Sequence, residues 1–310
     1  MYSRRGEDYS LAPVYDKPLP LGRTLATPRT YYLKGASCIE PLAATELLIN
    51  TLILRRDASL LAIFAEIVDE CIIQGLYRAT PRSIKIRRAT RRVSGGPTTK
   101  VNGLASYVSL VVRANDLLGV LDKAKSMAEC LTRARTSYGG VVVGDWGRAV
   151  YAATLIGNIG VAEVISSPQP LSRLLLCSGL RAEPLELDTG LIGMFIPRYK
   201  ASTWITQYYS DRRASTLRRN KEGFELRISV ETKDDYIVGW SLDSNMYASP
   251  PMEVYSILSS VKGMPFHELT LSMIKDALNT KMRVAGISMK DFLDALDSLH
   301  KAAGVKVYTT

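Results

Sequence analysis

The segment from Pro250 to Thr310 constrains the fold most, because its apolar spacing and stop signals divide it into short, well-defined elements. We predict three helices and a closing strand, over Met252–Val261, about Phe266–Leu278, Ser288–Ala303 and Val305–Tyr308. Ser288 can cap the third helix, and Gly304 can take the left-handed conformation that ends it. Three helices followed by a strand are typical of a winged-helix domain, a helix-turn-helix variant.

The third of these helices is acidic, which bears on what the segment can bind. Asp291, Asp294 and Asp297 recur about one turn apart, against Lys290 and Lys301. A helix that reads DNA meets phosphates and base edges, so an acidic stripe is unfavourable there. We therefore expect the segment to dock a protein partner or to cap the fold, with DNA contact through another face as the alternative.

The rest of the chain predicts an α+β protein in three parts. These are an extended, proline-rich arm over residues 1–28, a body of helices and antiparallel sheet over 29–243, and the winged-helix-like domain over 250–310. In the body, helices are predicted over Leu42–Arg56, Asp57–Gln74, Asp116–Arg135, Trp146–Ile156 and Pro170–Cys177. Strands are predicted over Tyr107–Val112, Val141–Val143 and Leu191–Ile196, with a hairpin over Phe224–Val230 and Tyr236–Leu242.

A first basic region lies between Cys71 and Asn115, where the chain holds no acidic residue. Ser83–Val93 alternates and precedes the turn Ser94–Pro97, which predicts a basic hairpin that leads into a buried strand. A guanidinium group can bind two phosphate oxygens at once. Such a row of basic side chains is therefore better explained as a nucleic-acid-binding surface than as a merely solvated one. The candidate nucleic-acid-binding residues are Arg78, Arg82, Lys85, Arg87, Arg88, Arg91, Arg92 and Lys100.

A second basic region, Arg198–Lys221, interleaves basic and aromatic residues. Charge can follow the phosphates of a single strand while flat rings stack on its bases. The alternative is that the aromatic side chains belong to the core and the arginines are solvated. The candidate residues are Arg198, Lys200, Tyr208, Arg212, Arg213, Arg218 and Arg219.

Composition narrows the class of protein. The net charge of +10 favours a polyanionic partner, RNA or DNA. Glutamine occurs at Gln74, Gln169 and Gln207 alone, and scarce thermolabile amides indicate a hyperthermophilic archaeon or one of its viruses. No apolar stretch reaches the roughly 18 residues of a membrane span and no leader is visible, so we expect a cytoplasmic protein without membrane contact.

The sequence predicts neither a metal nor a cofactor. Cys38, Cys71, Cys130 and Cys177 are far apart and form no C-x-x-C pair, so we expect buried free thiols. The run Gly95–Lys100 imitates a phosphate-binding loop but lacks the second glycine, and its proline removes an amide donor.

Catalytic patterns are weak. Two histidines leave little for general-base chemistry at neutral pH. Asp211 followed by Glu231-Thr232-Lys233 has the spacing of metal-dependent nucleases, but Glu231 falls at a predicted hairpin turn, so a solvated turn is the better interpretation.

We therefore expect a non-catalytic, nucleic-acid-binding subunit of a nucleoprotein complex. A CRISPR-type effector subunit of antiviral defence is one concrete version, in which the C-terminal domain docks other protein subunits. An archaeal viral coat protein or nucleoprotein is the first alternative, because its arm could link subunits. A metal-dependent nuclease is the second.

Overall fold

A computed structural model describes residues 29–55, 58–80, 88–181, 183–202 and 214–303 of the 310-residue chain. Its centre is a sheet of eight strands. In chain order they are β1 (Arg29–Ala36), β2 (Leu60–Ile67), β6 (Ala105–Arg113), β7 (Ala134–Tyr138), β8 (Val141–Gly144), β9 (Gly147–Ile156), β10 (Ile159–Ser166) and β11 (Leu185–Glu186). The spatial order is β11-β1-β2-β6-β10-β9-β8-β7. The β1–β2 and β1–β11 pairs are parallel, and the other pairs are antiparallel.

Helices cover both faces of this sheet. They are α1 (Glu40–Leu54), α2 (Leu117–Thr132), α3 (Leu171–Ser178) and α4 (Ile196–Lys200). Thr45 of α1 bonds the Tyr107 hydroxyl at 2.8 Å, and Tyr107 donates to Glu163 of β10. Ala162, the neighbour of Glu163, instead lines a cavity with Val120 of α2. Successive strand residues point to opposite faces, so α1 and α2 lie on opposite sides of the sheet.

Three smaller sheets complete the fold. The first contains β3 (Glu70–Gln74), β4 (Ala89–Arg91) and β5 (Thr99–Asn102) in the order β4-β3-β5. The second is the antiparallel β12 (Ala214–Arg219), β13 (Glu225–Lys233) and β14 (Tyr236–Ser244). The third pairs β15 (Tyr247–Ser249) with β16 (Arg283–Ala285). The Thr154 hydroxyl donates to the Ala248 carbonyl at 3.1 Å and so ties β9 to β15.

The C-terminal segment contains the three predicted helices, α5 (Glu253–Ser260), α6 (Glu268–Lys281) and α7 (Met289–Ala302). Ser288 caps α7 by accepting from the Asp291 N–H at 3.0 Å, as predicted. However, β16 lies between α6 and α7, and α7 packs against β12 and β13. The α+β class with a large mixed sheet is confirmed, whereas the winged-helix-like domain is not. The predicted closing strand lies outside the described residues, and the domain boundaries stay predictions.

Three predicted elements of the body are wrong. The predicted helix Asp57–Gln74 is β2 and β3 within its described residues, because a strand buried on both faces gives a nearly continuous apolar run that also fits a helical spacing. Trp146–Ile156 contains β9, whose two antiparallel neighbours override its alanine-rich composition. Leu191–Ile196 joins a 3₁₀ turn to α4, and Pro197 lies in the first turn of that helix.

The four cysteines are not free thiols. Cys38 is bonded to Cys71, and Cys130 of α2 is bonded to Cys177 of α3. Each pair is distant in sequence, so spacing alone gave no sign of either bond. Among the helices that the structure describes, none is long and apolar enough to cross a membrane.

Candidate functional site

A glycine-containing turn, Ser94–Pro97, lies between β4 and β5, where the small first sheet meets the large sheet and β15. A Cβ at Gly95 would come within 2.2 Å of the Met246 carbonyl oxygen. Gly96 has a φ of +95°, and a Cβ there would lie 2.9 Å from the Tyr247 ring. The backbone of the turn therefore packs directly under β15, which only glycine permits.

The arginine pair that precedes this turn is buried. Arg91 is 0% exposed and donates from Nη1 to the carbonyl oxygens of Gly75, Leu76 and Arg78 at 2.7–2.8 Å. Its Nη2 reaches the Gln74 side chain at 3.2 Å. Burial lowers the pKa of the Arg91 guanidinium to about 10, so the group stays protonated at neutral pH. A buried charge is tolerated here because carbonyl dipoles replace its water shell.

Arg92 holds the turn itself. It is 1% exposed, and its Nε and Nη2 both donate to the Gly95 carbonyl at 3.1 Å. Nη2 also donates to the Pro97 carbonyl at 2.6 Å. Burial lowers the pKa of Arg92, and the Glu163 carboxylate opposes that effect.

A buried polar network lies below the turn. Glu163 is 1% exposed in the middle of β10 and accepts hydrogen bonds from the Ser94 and Tyr107 hydroxyls. Burial is the main reason that the pKa of Tyr107 is raised well above its ordinary value, and the Glu163 charge adds to it. Tyr107 also meets Thr45, so the network joins the turn to α1. Such a satisfied network fixes the spacing between the layers.

A buried ion pair lies between α1 and α4. Arg198 Nη1 is 2.6 Å from Glu46 Oε1, with side-chain exposures of 15% and 5%. Burial raises the pKa of the Glu46 carboxyl, and this outweighs the opposing effects of Arg198 and Tyr199. The Thr90 hydroxyl donates to the Tyr199 carbonyl at 3.2 Å, which brings α4 against β4.

These contacts determine what the turn can do chemically. Gly96 N–H donates to the Met246 carbonyl at 3.0 Å, so that amide is not presented to a phosphate. Among the described residues no cluster of three or more His, Cys, Asp or Glu could hold a metal ion. The turn can therefore contribute to a binding site through its close-packed backbone and through the buried Ser94 hydroxyl and Glu163 carboxyl groups.

The predicted first basic region does not form a basic hairpin. β4 pairs in parallel with β3, and β5 pairs with the other edge of β3. Arg91 and Arg92 are buried and so are not available to phosphates, which corrects that part of the prediction. Arg78 pairs with Asp243 and Arg88 with Glu70, each at 3.3 Å, and Lys100 is exposed on β5. Arg82, Lys85 and Arg87 lie outside the described residues.

The second basic region is also partly used inside the protein. Arg198 is paired with Glu46, Arg219 pairs with Glu225, and Arg218 donates to the Ser298 hydroxyl at 2.6 Å. Lys200 is exposed. Tyr208, Arg212 and Arg213 lie outside the described residues. Tyr199, one of the interleaved aromatic residues, is buried, as the alternative interpretation of this region expected.

Sequence analysis missed Glu163 and Ser94, which connect the turn to the large sheet. A signal for Glu163 was present, because a single carboxylate stands inside the apolar run Ile159–Ser166. A charged residue in such a strand needs buried donors, and the serine of the turn and a tyrosine of β6 supply them. No sequence pattern showed that these donors would meet.

Comparison with known proteins finds similarity in structure but none in sequence. No family model and no curated protein sequence matches the chain. The crystal structure of LipL1 from P. falciparum in complex with lipoate matches with a TM-score of 0.62 at 9% identity, over 88% of this chain and 98% of that one. Lipoate-protein ligase A bound with ATP matches over 58% of this chain and 98% of its own, at 10% identity and a TM-score of 0.44. A bipartite lipoate protein ligase from Thermoplasma acidophilum, with its E2 lipoyl domain, gives a TM-score of 0.44 at 10% identity, covering 58% of this chain and 96% of that one.

These matches correct the functional predictions. The solved structure whose fold this chain shares over most of its length is that of a protein in complex with lipoate, so the prediction of a nucleic-acid-binding subunit of antiviral defence is contradicted, as are its RNA or DNA partners. The prediction that the chain is not an enzyme is contradicted in the same way. The fold of the described part of the chain is similar to that of the lipoate-bound LipL1 structure.

Proposed function

We propose that this chain is a ligase-type enzyme that binds a small carboxylic acid of the lipoate class. The observation that carries the proposal is the match to the lipoate-bound LipL1 structure over 88% of this chain. The net charge of +10 is consistent with it, because a positive protein attracts a carboxylate and a nucleoside triphosphate alike.

We place the acid beside the Ser94–Pro97 turn. Binding sites for small molecules tend to lie where separate layers of a protein meet and a few polar groups converge. The turn fits this description, since the large sheet, the β4-β3-β5 sheet and β15 meet there around the Ser94 hydroxyl and Glu163. Arg91 and Arg92 would shape the turn rather than contact the acid, because backbone carbonyls already accept from both guanidinium groups.

The test is binding and turnover with defined reagents. Titration calorimetry with lipoate, and with octanoate as an acid lacking the ring, should show saturable binding. Pyrophosphate release from ATP should then depend on the acid. Absence of both acid binding and acid-dependent pyrophosphate release contradicts the proposal.

A matched pair of serine variants tests the place of the site. Ser94→Ala removes the hydroxyl of the turn, and Ser106→Ala removes another buried hydroxyl, whose partner is Gln169. We expect Ser94→Ala to weaken acid binding about tenfold, because it removes the hydrogen bond that holds the Glu163 carboxylate below the turn. Ser106→Ala should leave it nearly unchanged. If the two variants have the same melting temperature and lose acid binding equally, the turn is not part of the site.

A further inference from the structure

We infer that a surface at the edge of the large sheet docks an acidic protein segment, which adds a strand to β7. This edge surface consists of β7 with Arg133, Arg135, Trp146, Arg148 and Arg173. It is separate from the glycine-containing turn, and the inference does not depend on the proposed ligase activity.

β7 is a free edge within the described part of the chain. It is the last strand of the eight-stranded sheet and pairs with β8 alone among the described strands. All five of its residues, Ala134–Tyr138, are exposed. A strand edge presents unpaired N–H and C=O groups, and pairing with an extended peptide satisfies them.

The charge of the edge surface indicates the kind of segment. Arg133 and Arg135 both contact Asp145, yet their side chains remain 68% and 76% exposed. Arg148 is exposed as well. With Arg173, the surface holds four arginines against one aspartate, a net charge of +3. An acidic segment would complement this charge, and a basic edge also discourages pairing with a second copy of the chain.

Trp146 provides an aromatic anchor and favours a protein over a nucleic acid. It is 40% exposed, and the Arg173 guanidinium lies 3.6 Å from the ring centroid, with that of Arg133 at 5.7 Å. Gln169 donates to the Trp146 carbonyl at 3.2 Å and accepts from Arg173 at 3.2 Å. The ring is therefore held in place, and one of its faces is already covered, which leaves less room for base stacking. Tryptophan and arginine are the residue types that dominate protein interfaces.

The backbone of Arg133 supports a role for its side chain. Arg133 follows the last turn of α2 with a φ of +51°, in the left-handed region. Glycine is favoured at this position, and a residue with a Cβ is disfavoured. The chain nevertheless places a guanidinium there, beside Trp146 and Asp145. A surface used for binding explains that choice.

The experiment measures fluorescence anisotropy of the full chain with a fluorescein-labelled peptide of alternating Glu and Val. A peptide of alternating Lys and Val and a single-stranded oligothymidylate serve as comparison probes. The double variant Arg135→Glu with Arg148→Glu alters the edge surface. Its control, Lys100→Glu with Lys262→Glu, changes two exposed lysines elsewhere and lowers the net charge from +10 to +6 equally.

We expect the acidic peptide to bind, the basic one not to bind, and the edge variant to weaken binding by about tenfold or more, whereas the control loses about threefold at most. If the two variants lose peptide affinity equally, net charge alone explains the effect and the inference is overturned. It is also overturned if the acidic peptide binds no better than the basic one, or if oligothymidylate competes as well as the peptide. If the wild type is a dimer and the edge variant is a monomer, the surface binds a second copy of the chain. That result would overturn the proposal of an acidic partner.

Discussion

Two pairs of arginines that look alike in sequence do different things in this molecule. Arg91 and Arg92 are buried beside the glycine-containing turn and donate to backbone carbonyls. Arg133 and Arg135 stand on the edge surface with most of each side chain in solvent. The first pair holds layers of the fold together, and the second is available to a partner.

The comparison shows that the local acceptors decide what an arginine does. A guanidinium group has five N–H donors, and its burial is tolerated only when most of them have hydrogen-bond acceptors. The turns over Gly75–Arg78 and Gly95–Pro97 point carbonyl oxygens inward at the buried pair. On the edge surface one aspartate serves two arginines, so much of their hydrogen-bonding capacity stays open.

The largest effect that this comparison predicts is on stability when a buried arginine is removed. Arg92→Met leaves the Gly95 and Pro97 carbonyls and Glu163 without their cation, so it should lower the free energy of unfolding by about 3–5 kcal/mol. Urea denaturation measures this value. Arg135→Met, on the edge surface, should change it by no more than about 0.5 kcal/mol. If the two variants are equally stable, the two pairs do not differ as we infer.

A smaller effect on stability is expected at the Glu46–Arg198 pair. Its burial is intermediate between that of Arg91 and Arg92 and that of the edge surface. Because burial raises the pKa of Glu46 above its ordinary value of 4.5, the folded protein holds this proton more tightly than the unfolded chain does. The stabilising contribution is therefore complete below that value and is lost as the pH rises through the folded pKa.

We therefore expect wild type to lose stability relative to Glu46→Gln as the pH rises from about 4 toward 7, since glutamine does not titrate. Urea denaturation of both proteins across this range measures the difference. A wild type that instead gains stability over Glu46→Gln with rising pH would show that the attraction of Arg198 outweighs the cost of burial.

The smallest effect is expected on the edge surface. Arg173→Met removes the guanidinium over Trp146, a contact worth about 0.5–1 kcal/mol at an exposed site. Thermal unfolding should shift slightly, while the emission of Trp146 should change clearly because its ring loses a charged neighbour. A loss of stability as large as that of Arg92→Met would mean that Arg173 is part of the core.

Local patterns predicted much of the secondary structure. Asp116 caps α2 with bonds to the Leu118 and Gly119 amides, and Gly179 ends α3 with a φ of +74°. The hairpin of β13 and β14 was also predicted, because turn residues and alternation act within a few positions. The errors fall on β2 and β9, whose strand form depends on neighbours distant in the chain.

The candidate site was largely beyond sequence reasoning. The Ser94–Pro97 turn was recognised, but Arg91 and Arg92 beside it were assigned to a basic hairpin, because counting charges gives no information about burial. Glu163 and Tyr107 meet Ser94 through pairing of β6 with β10 and packing of the turn upon them. That packing links residues 69 positions apart.

The sequence by itself determined the caps at Asp116 and Ser288, the end of α3 at Gly179, the hairpin of β13 and β14, the α+β class and the net positive charge. Tertiary structure alone decided which arginines are buried, which cysteines are bonded and which strand is left at an edge. Those outcomes depend on which distant segments supply acceptors, thiols or strand partners. Residue type sets what a side chain can bind, and the fold sets what it meets.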